Sequence, residues 1–525
     1  MLAWTAVAGL IAAALVWFGP PGTDLAAHVY QRALFLSHGF TLWDNLWYGG
    51  RYSFITYSVV YYPLAAVLGI RLLAVLTVVV AAVVFSAVVA HEWGRDARWS
   101  SRAFAIFWAA LVVSGAFPFM LGSAFALLAL YALQHRGRWR FVCFATLTLA
   151  SSPVAFLLLV ILLVGIALGR RQERSTLVAT AATIGVIGLI EVVLWRMFPD
   201  HGRYPFSPEE VAAACVFCLY GAALTWNVAS ARILRWIFVA YLAACVAIFA
   251  IPSPVGENIA RLRFAAVPIS ILALSLRGWR PRLACVVALG LALSWNVTPL
   301  VASYRHGSDD PASHAAYWAP AISYLDSHMT PSYRVEAVDT VGHWPAAYLA
   351  RAGIPLARGW FRQDDFPRNS VLYGHLSARA YFAWLHALGV RYVVLSSAKP
   401  DYSARDEARL VASGRAGLRL VFRSPTIRIF AVPAPQALVR GPGSAVVLML
   451  DETHVLFRVG RVGTYRVAMS YSPYWRASTG CLEPTADGMI RLHVPRAGAV
   501  RLVFVVNASR VFSAVAGAEP PQSCH

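Results

Sequence analysis

A carboxylate and an imidazole follow the first hydrophobic stretch, in the sequence Gly-Pro-Pro-Gly-Thr-Asp24-Leu-Ala-Ala-His28. Asp24 and His28 are four residues apart, so a helix would place them on one face. A carboxylate at the end of a membrane helix is costly unless it is solvated, paired or used in function. Asp24 could accept the proton of a hydroxyl nucleophile, hold a divalent cation or cap the next helix. The local sequence leaves these roles open.

Two arginines occur near the end of a later hydrophobic stretch, in the sequence Gly-Glu257-Asn-Ile-Ala-Arg261-Leu-Arg263. A guanidinium group binds phosphate oxygens in a bidentate manner, so both arginines are candidates for a lipid phosphate. The alternatives are contact with ordinary phospholipid headgroups and an internal pair with Glu257.

Two further parts of the sequence contain polar residues that could have a function. Glu191 lies inside an apolar stretch, where an acid is a functional candidate by default, but Arg196 follows and could form a local ion pair. The segments 342–348 and 355–364 are rich in aromatic, Arg and acidic residues. They could line a saccharide-binding surface or pack a second domain against the membrane part.

Several common catalytic motifs are absent from the sequence: the phosphate-binding G-x-x-x-x-G-K-[ST], G-x-S-x-G, H-E-x-x-H and a strand followed by G-x-G-x-x-G. Their absence argues against ATP hydrolysis, serine-hydrolase chemistry and a dinucleotide cofactor. Cys215 and Cys218 form a C-x-x-C pair inside an apolar stretch, and no second pair accompanies them. We therefore expect no metal or redox site there.

The composition indicates a multi-pass membrane protein, because 59% of the 525 residues are hydrophobic and only 13% are charged. About eleven apolar stretches are candidate spans, at 3–19, 65–90, 101–115, 119–134, 141–151, 153–169, 176–198, 209–228, 231–251, 263–277 and 283–301. The breaks at Pro118 and Pro153 suggest re-entrant or kinked segments.

The positions of the residues behind the net charge of +20 indicate how the chain crosses the membrane. Arginines concentrate in loops at every second crossing, at 91–102, 135–140, 169–175, 229–235 and 277–282. By the positive-inside rule, the N-terminus and these loops are cytoplasmic, whereas the loops 20–60, 199–208 and 252–262 and everything after residue 302 face outward. This pattern argues against a nucleic-acid partner.

Three outward-facing regions are expected beyond the helical part. The first loop is aromatic, which favours the headgroup layer, and its segment 24–40 reads as a surface helix with Asp24, His28 and Arg32 near one face. After residue 301, alternating apolar runs predict strands. We expect the following boundaries: a membrane domain at 1–301, an exported α/β domain at 302–435, an exported β-sandwich at 436–515 and a loose tail at 516–525.

Cys481 and Cys524 fall in the expected exported region. They could form a disulfide there, because thiols oxidise outside the cytoplasm, although spacing does not decide the pairing.

The chain resembles the GT-C superfamily of integral-membrane glycosyltransferases, through the Asp after the first span, the long first outer loop and an exported C-terminal domain. Its N-terminal pattern Asp24-x-x-x-His28, Gly39, Trp43 and Gly49, then Tyr-Tyr-Pro63, is similar to the 6-pyruvoyl-tetrahydropterin-synthase-related membrane domain of bacterial membrane proteins. Many members have adjacent acids in the first loop, but here Leu25 follows Asp24, which argues against a divalent metal.

The resemblance implies an inverting glycosyltransferase that takes a polyprenyl-phosphate sugar as donor and a cell-envelope glycan or glycolipid as acceptor. It implies catalysis by Asp24 and phosphate binding by Arg261 or Arg263. We assign further substrate contacts to His28, Arg32 and Glu257, and we expect no other cofactor.

Two other functions remain open. A transporter or flippase of a lipid-linked sugar would use the same anionic-headgroup site without chemistry. A non-catalytic envelope assembly protein would use Asp24 only as a helix cap.

Overall fold

The computed structural model describes residues 2–170, 174–199, 202–518 and 522–524. The chain divides into two compact units. The first consists of residues 1–25, 57–192 and 203–308, and the second of 26–56, 193–202 and 309–525. The division therefore falls at residue 308 instead of 301, and most of the expected first outer loop belongs to the second unit.

Each of the eleven apolar stretches corresponds to a helix. Two more helices, α2 and α3, occur in the segment between the first two stretches. In chain order the helices are α1 (Leu2–Phe18), α2 (Leu25–His38), α3 (Tyr61–Leu68), α4 (Ile70–Trp93), α5 (Arg98–Ala110), α6 (Phe117–Gln134), α7 (Arg138–Ser151), α8 (Pro153–Gly169), α9 (Arg174–Met197), α10 (Pro208–Thr225), α11 (Arg232–Ala250), α12 (Ala266–Leu276) and α13 (Arg282–Ser308).

Seven helical stretches among the described residues are long and apolar enough to cross a membrane. They are Ile70–Ser114, Phe117–Gln134, Arg174–Met197, Pro208–Thr225, Ala229–Ala250, Gly256–Leu276 and Arg282–Ser308. Ala3–Phe18 and Pro153–Gly169 are shorter apolar helices. The protein therefore has membrane-spanning character, while the number of eleven spans and their orientation remain predictions. Residues 171–173 and 200–201 of the predicted loops lie outside the described residues.

Both prolines at the expected breaks begin new helices. Pro118 lies in the first turn of α6, and Pro153 is the first residue of α8. Proline is tolerated there because its missing N–H would have no partner in the helix. The Ser152 hydroxyl accepts a hydrogen bond from the Ala155 amide and caps α8. The breaks thus separate consecutive helices.

The second unit begins with an α/β domain. Its helices are α14 (Ala315–His328), α15 (Trp344–Arg351), α16 (Ala378–Leu388) and α17 (Arg405–Ala412). Two short strands of the first loop, β1 (Trp43–Asp44) and β2 (Arg51–Tyr52), pair antiparallel. The main sheet has the order β3-β4-β6-β5, from β3 (Arg334–Ala337), β4 (Val390–Ser396), β5 (Arg419–Arg423) and β6 (Ile427–Ala431). β3 and β4 are parallel, so their carboxyl ends share one edge.

Two four-stranded sheets follow, with the orders β12-β13-β10-β7 and β11-β14-β9-β8. Their strands are β7 (Val439–Arg440), β8 (Ala445–Leu450), β9 (His454–Val459), β10 (Gly463–Ser470), β11 (Trp475–Ala477), β12 (Cys481–Pro484), β13 (Met489–Val494) and β14 (Gly498–Phe504), and helix α18 (Ala508–Ala516) follows them. Alternate residues of both sheets form one apolar core, including the fully buried Phe457, Tyr465 and Leu502.

The aromatic residues of the first loop between Trp43 and Phe54 are buried in the second unit and are not exposed to a headgroup layer. Trp43 is 1% exposed and stacks on Phe504 with 4.8 Å between ring centroids. The Trp47 indole donates a hydrogen bond to the Ala346 carbonyl oxygen. Large rings gain more free energy from full burial than from an interface position, and each polar tip here has a partner. Likewise α2 buries six of its residues, so it is not a free surface helix.

Part of the expected loose tail is fixed to the β-sandwich. Cys481 and Cys524 form a disulfide. The Leu482 amide also donates a hydrogen bond to the Gln522 carbonyl oxygen. These bonds fix residues 522–524 against β12.

Candidate active site

The main chain around Asp24 is held by contacts within the first unit. The Asp24 amide and the Thr23 hydroxyl both donate hydrogen bonds to the Ser114 carbonyl oxygen, at 3.0 and 3.2 Å. Gly115 has φ of +75°, and a methyl group there would lie 3.1 Å from the Asp24 nitrogen. A methyl group on Gly22 would lie only 2.5 Å from the Gly115 nitrogen. Two glycines therefore let the main chains approach closely and fix Asp24.

Arg261 lies next to Asp24. It is part of a 3-10 helix over Gly256–Ala265, and its Nε donates a hydrogen bond to Asn258 Oδ1 at 3.0 Å. Its Nη2 lies 3.8 Å from Asp24 Oδ2, and both side chains are nearly one-fifth exposed. Its guanidinium also lies 5.3 Å from the centre of the Phe119 ring. The structure thus joins the expected base to one of the two expected phosphate ligands.

Arg263 has a different partner. Its Nη1 lies 2.9 Å from Glu210 Oε1, and the same oxygen accepts a hydrogen bond from the Trp295 indole at 2.6 Å. No ion pair joins Glu257 to either arginine among the described residues. The internal partner of Arg263 is therefore Glu210 and not Glu257.

The contact between Arg263 and Glu210 was not predicted from the sequence, although the sequence does indicate that Glu210 lies at the start of a helix. Ser207 precedes Glu210 by three residues, a pattern typical of a helix start. In the structure the Ser207 side chain accepts a hydrogen bond from the Glu210 amide at the start of α10. This cap fixes Glu210 in the first turn, but the sequence does not show which arginine it meets.

A cavity of about 500 Å³ lies inside the first unit. Helix α6 lines it from Phe119 to Gln134, roughly 22 Å of helix at 1.5 Å per residue. Most of the lining is apolar, and Arg261 lies at the Phe119 end. The cavity is therefore an apolar space with a guanidinium group at one end.

The other end of the cavity is polar. His91, Glu92, Arg136 and Arg170 contribute to its lining there. Glu92 and Arg170 form an ion pair at 3.3 Å. The cavity thus has a cationic group at each end and an apolar middle.

His28 and Arg32 belong to the second unit, in α2. His28 is fully buried, and its ring lies 6.5 Å from that of Trp360. Arg32 is half-buried. Their assigned substrate contacts remain predictions.

The predicted aromatic and acidic segments of the second unit form a buried polar network. Arg358 pairs with Asp365 at 2.9 Å and lies 3.8 Å from Glu407. Burial raises the pKa of Glu407 to about 7, although Arg358 and a hydrogen bond from Tyr381 oppose this shift. Burial, together with the charge of Glu407, raises the pKa of Glu336 well above its usual value. These acids are protonated at higher pH than exposed glutamates.

One group of three potential metal ligands lies close together among the described residues, namely Glu483, His493 and Cys524. Cys524 is oxidised in the disulfide, so its sulfur is not a thiolate ligand. Glu483 also pairs with Arg491 at 3.0 Å. This group does not provide a metal site.

Glu191 lies in α9, where it is half-buried. The nearby Arg196 is in the last turn of the same helix. The acid remains without an assigned function.

No protein-family model matches the chain, and no curated protein matches it. The resemblance to the 6-pyruvoyl-tetrahydropterin-synthase-related membrane domain therefore has no support from a family model. Two cryo-EM classes of a variant of the arabinofuranosyltransferase AftD from mycobacteria are similar in structure. The TM-scores are 0.49 and 0.51, at 16% and 18% sequence identity.

Each comparison covers 83% of this chain and 42% of the AftD chain. The chain thus spans less than half of the length of the structure that it resembles. At this identity the similarity concerns the fold alone. The chain therefore has a fold similar to part of AftD.

Proposed function

We propose that this protein is an inverting glycosyltransferase that transfers a sugar from a polyprenyl-phosphate donor to a cell-envelope glycan or glycolipid. The observation that carries the proposal is the position of Asp24 beside Arg261, at one end of a mostly apolar cavity of about 500 Å³. A lipid-phosphate donor has its parts in the matching order: an apolar chain for the cavity, a phosphate for Arg261, and then a sugar beside Asp24.

Arg261 binds the phosphate of the donor in this proposal. A guanidinium donates paired hydrogen bonds to phosphate oxygens and stays charged, so it stabilises the negative charge that grows as the phosphate leaves. The prenyl chain follows α6 through the cavity. Arg263 serves a structural role, because Glu210 already compensates its charge.

Asp24 acts as the general base. Its carboxylate accepts the proton of an acceptor hydroxyl while the hydroxyl oxygen attacks the anomeric carbon of the donor sugar. The bond between this carbon and the phosphate oxygen breaks, and polyprenyl phosphate leaves with the electron pair. Attack from the side opposite the phosphate inverts the anomeric centre. The proton on Asp24 then passes to water.

The reaction takes place at the outer face of the membrane in this proposal. The arginine-rich loops support a cytoplasmic N-terminus, and the disulfide between Cys481 and Cys524 supports an oxidising environment for the second unit. The fold similarity to an arabinofuranosyltransferase makes pentofuranose donors the first to test.

The test uses the purified protein in lipid nanodiscs with a panel of polyprenyl-phosphate pentofuranoses and hexoses and an envelope-lipid extract. Donor consumption and new glycan are followed by mass spectrometry for wild type, Asp24→Asn and the control Asp326→Asn. Asp326 is an exposed acid in α14. We expect transfer by the wild type and the control, and none by Asp24→Asn. Transfer by folded Asp24→Asn would refute the base, and no transfer with any donor would refute the activity.

A flippase for lipid-linked sugars is the second candidate, and the polar far end of the cavity favours it. Arg136 and Arg170 could hold a phosphate at that end, while Arg261 holds one at the other. The measurement is the movement of a fluorescent polyprenyl phosphate across proteoliposomes. Movement without sugar transfer would favour the flippase, and transfer without movement would favour the enzyme.

A further inference from the structure

A polar site lies at the edge of the α/β domain where the parallel strands β3 and β4 end. Asp339 and Thr340 follow β3, and Asp401 follows β4 after a short loop. The Asp401 amide donates a hydrogen bond to the Asp339 carbonyl oxygen at 3.0 Å. Ligands of α/β domains commonly bind outside the carboxyl ends of parallel strands. We call the residues Asp339, Thr340, His343, Trp360, Arg362 and Asp401 the strand-end site.

His343 is held by Asp339. Its Nδ1 lies 2.6 Å from Asp339 Oδ2, and the residue is 6% exposed. Burial lowers the pKa of the imidazole, but the Asp339 carboxylate more than offsets this and raises it above its usual value. With Nδ1 engaged by the carboxylate, Nε2 is the ring nitrogen left for a ligand.

Asp401 and Arg362 form the second pair of the strand-end site. Two guanidinium nitrogens of Arg362 donate to the two oxygens of Asp401, at 3.0 and 2.8 Å. The Ser403 amide and hydroxyl also donate to Asp401. Burial raises the pKa of Asp401, but Arg362 and His343 outweigh this effect and hold it below its usual range. Each charge in the site therefore has its opposite beside it, which suits a neutral ligand better than a phosphate.

Two polar groups of the site have no hydrogen-bond partner among the residues that the structure describes: the Thr340 hydroxyl and the Trp360 indole N–H. Thr340 is 1% exposed. A buried polar group without a partner costs free energy, so a ligand that supplies one is favoured. The Trp360 ring is half-buried and lies 6.1 Å from the His343 ring. It offers an apolar face beside these polar groups.

We propose that the strand-end site binds a neutral saccharide. Sugar hydroxyls donate and accept hydrogen bonds at once, which matches the Thr340 hydroxyl, the indole N–H and the His343 imidazole. The C–H face of a sugar ring packs on an aromatic face, as Trp360 provides.

Binding is measured directly by saturation-transfer NMR on the full chain in nanodiscs. The probes are tetrasaccharides of arabinofuranose, galactofuranose and glucopyranose. We expect the wild type to bind at least one probe, and Trp360→Ala to weaken binding roughly tenfold or more. Trp360→Phe keeps the ring but loses the N–H, and we expect an intermediate loss. The control is Phe512→Ala, which removes a side chain that is 73% exposed in α18.

Thr340→Val removes the hydroxyl and keeps a similar side-chain volume. If Trp360→Ala fails to fold, the affinity of Thr340→Val for the probes tests the strand-end site instead. Unchanged affinity in both Thr340→Val and Trp360→Phe would overturn the inference, as would no binding of any probe at ~10 mM by the wild type.

Discussion

Asp24 Oδ2 and Arg261 Nη2 lie 3.8 Å apart, at the end of the cavity that α6 lines. At this distance the two charges attract each other without a close hydrogen bond. An arriving phosphate competes with Asp24 for Arg261. Donor binding then releases the carboxylate toward the acceptor, which predicts that donor binds before acceptor. Initial-rate kinetics with both substrates varied measures this order, and acceptor binding first would contradict it.

Arg261→Gln removes the charge beside the leaving phosphate and keeps a polar side chain of similar reach. We expect transfer to fall about a hundredfold, the scale for loss of one preorganised donor to a developing charge. The measurement is kcat/KM for the lipid donor in nanodiscs. An activity within a few-fold of wild type would show that Arg261 does not bind the phosphate.

Arg263→Gln is the matched control, and it should act on stability. It leaves Glu210 without its partner in a mostly buried place, which costs about 3 kcal/mol. The double variant Arg263→Gln/Glu210→Gln should recover part of this loss, since no charge remains unpaired. Thermal unfolding of Arg263→Gln, Glu210→Gln and the double variant measures the coupling. Equal stability of the single and double variants would exclude a structural ion pair.

Gly115→Ala tests the main-chain contact that positions Asp24. The added methyl group would lie 2.9 Å from the Leu25 nitrogen and 3.1 Å from the Asp24 nitrogen, so the main chain must move. Gly517 has φ of +65° in the same left-handed region and no neighbour within 4 Å of a methyl group, so Gly517→Ala controls for the dihedral angle alone. We expect about 1 kcal/mol of destabilisation from the positive φ in both variants, a further loss of stability in Gly115→Ala because its main chain must move, and loss of transfer only in Gly115→Ala. Equal activity would contradict this.

Glu407→Gln tests the buried acids of the α/β domain. The pKa of Glu407 is about 7 in the fold, above the value of about 4.3 for an exposed glutamate. The folded state therefore holds the proton more tightly, and the stability falls as pH rises from about 4.3 to about 7, by on the order of 3 kcal/mol. We expect Glu407→Gln to flatten this fall, since the amide has no proton to lose. Thermal unfolding at several pH values measures it, and parallel profiles for wild type and variant would exclude Glu407 as the cause.

Removal of the Cys481–Cys524 disulfide should loosen the β-sandwich. The bridge closes a segment of 43 residues, for which loop entropy predicts about 4 kcal/mol. Cys524→Ser should therefore lower the unfolding temperature of this domain. A maleimide reagent should label Cys143, which is exposed, and label Cys481 only after reduction. Labelling of Cys481 in the native protein without reductant would show that the bridge is absent in the membrane.

The positions of the helices in the first unit were predictable, because long apolar runs and prolines act through local rules. Pro153 begins a helix just where the sequence breaks. The place of the first loop was not predictable, since Trp43 meets Phe504, far along the chain. The same aromatic residues suit an interface or a core, and only tertiary packing decides between them.

The candidate site shows the same limit. Asp24 and Arg261 were each singled out from their type and place, but the sequence does not show that they lie 3.8 Å apart. An internal pair of Arg263 with Glu257 was one of the alternatives, since Glu257 is near in sequence, whereas the fold brings Glu210 to Arg263 instead. The ion-pair partner of a charged residue depends on the tertiary fold, and the spacing of neighbouring residues in the sequence does not predict it.

The contact between Gly22 and Gly115 depends on few side chains elsewhere in the sequence. It fixes Asp24 through main-chain atoms, so two small residues and a carboxylate are enough to keep the geometry. A change of a surrounding apolar side chain to another apolar one therefore leaves Asp24 in place unless it moves these main-chain atoms.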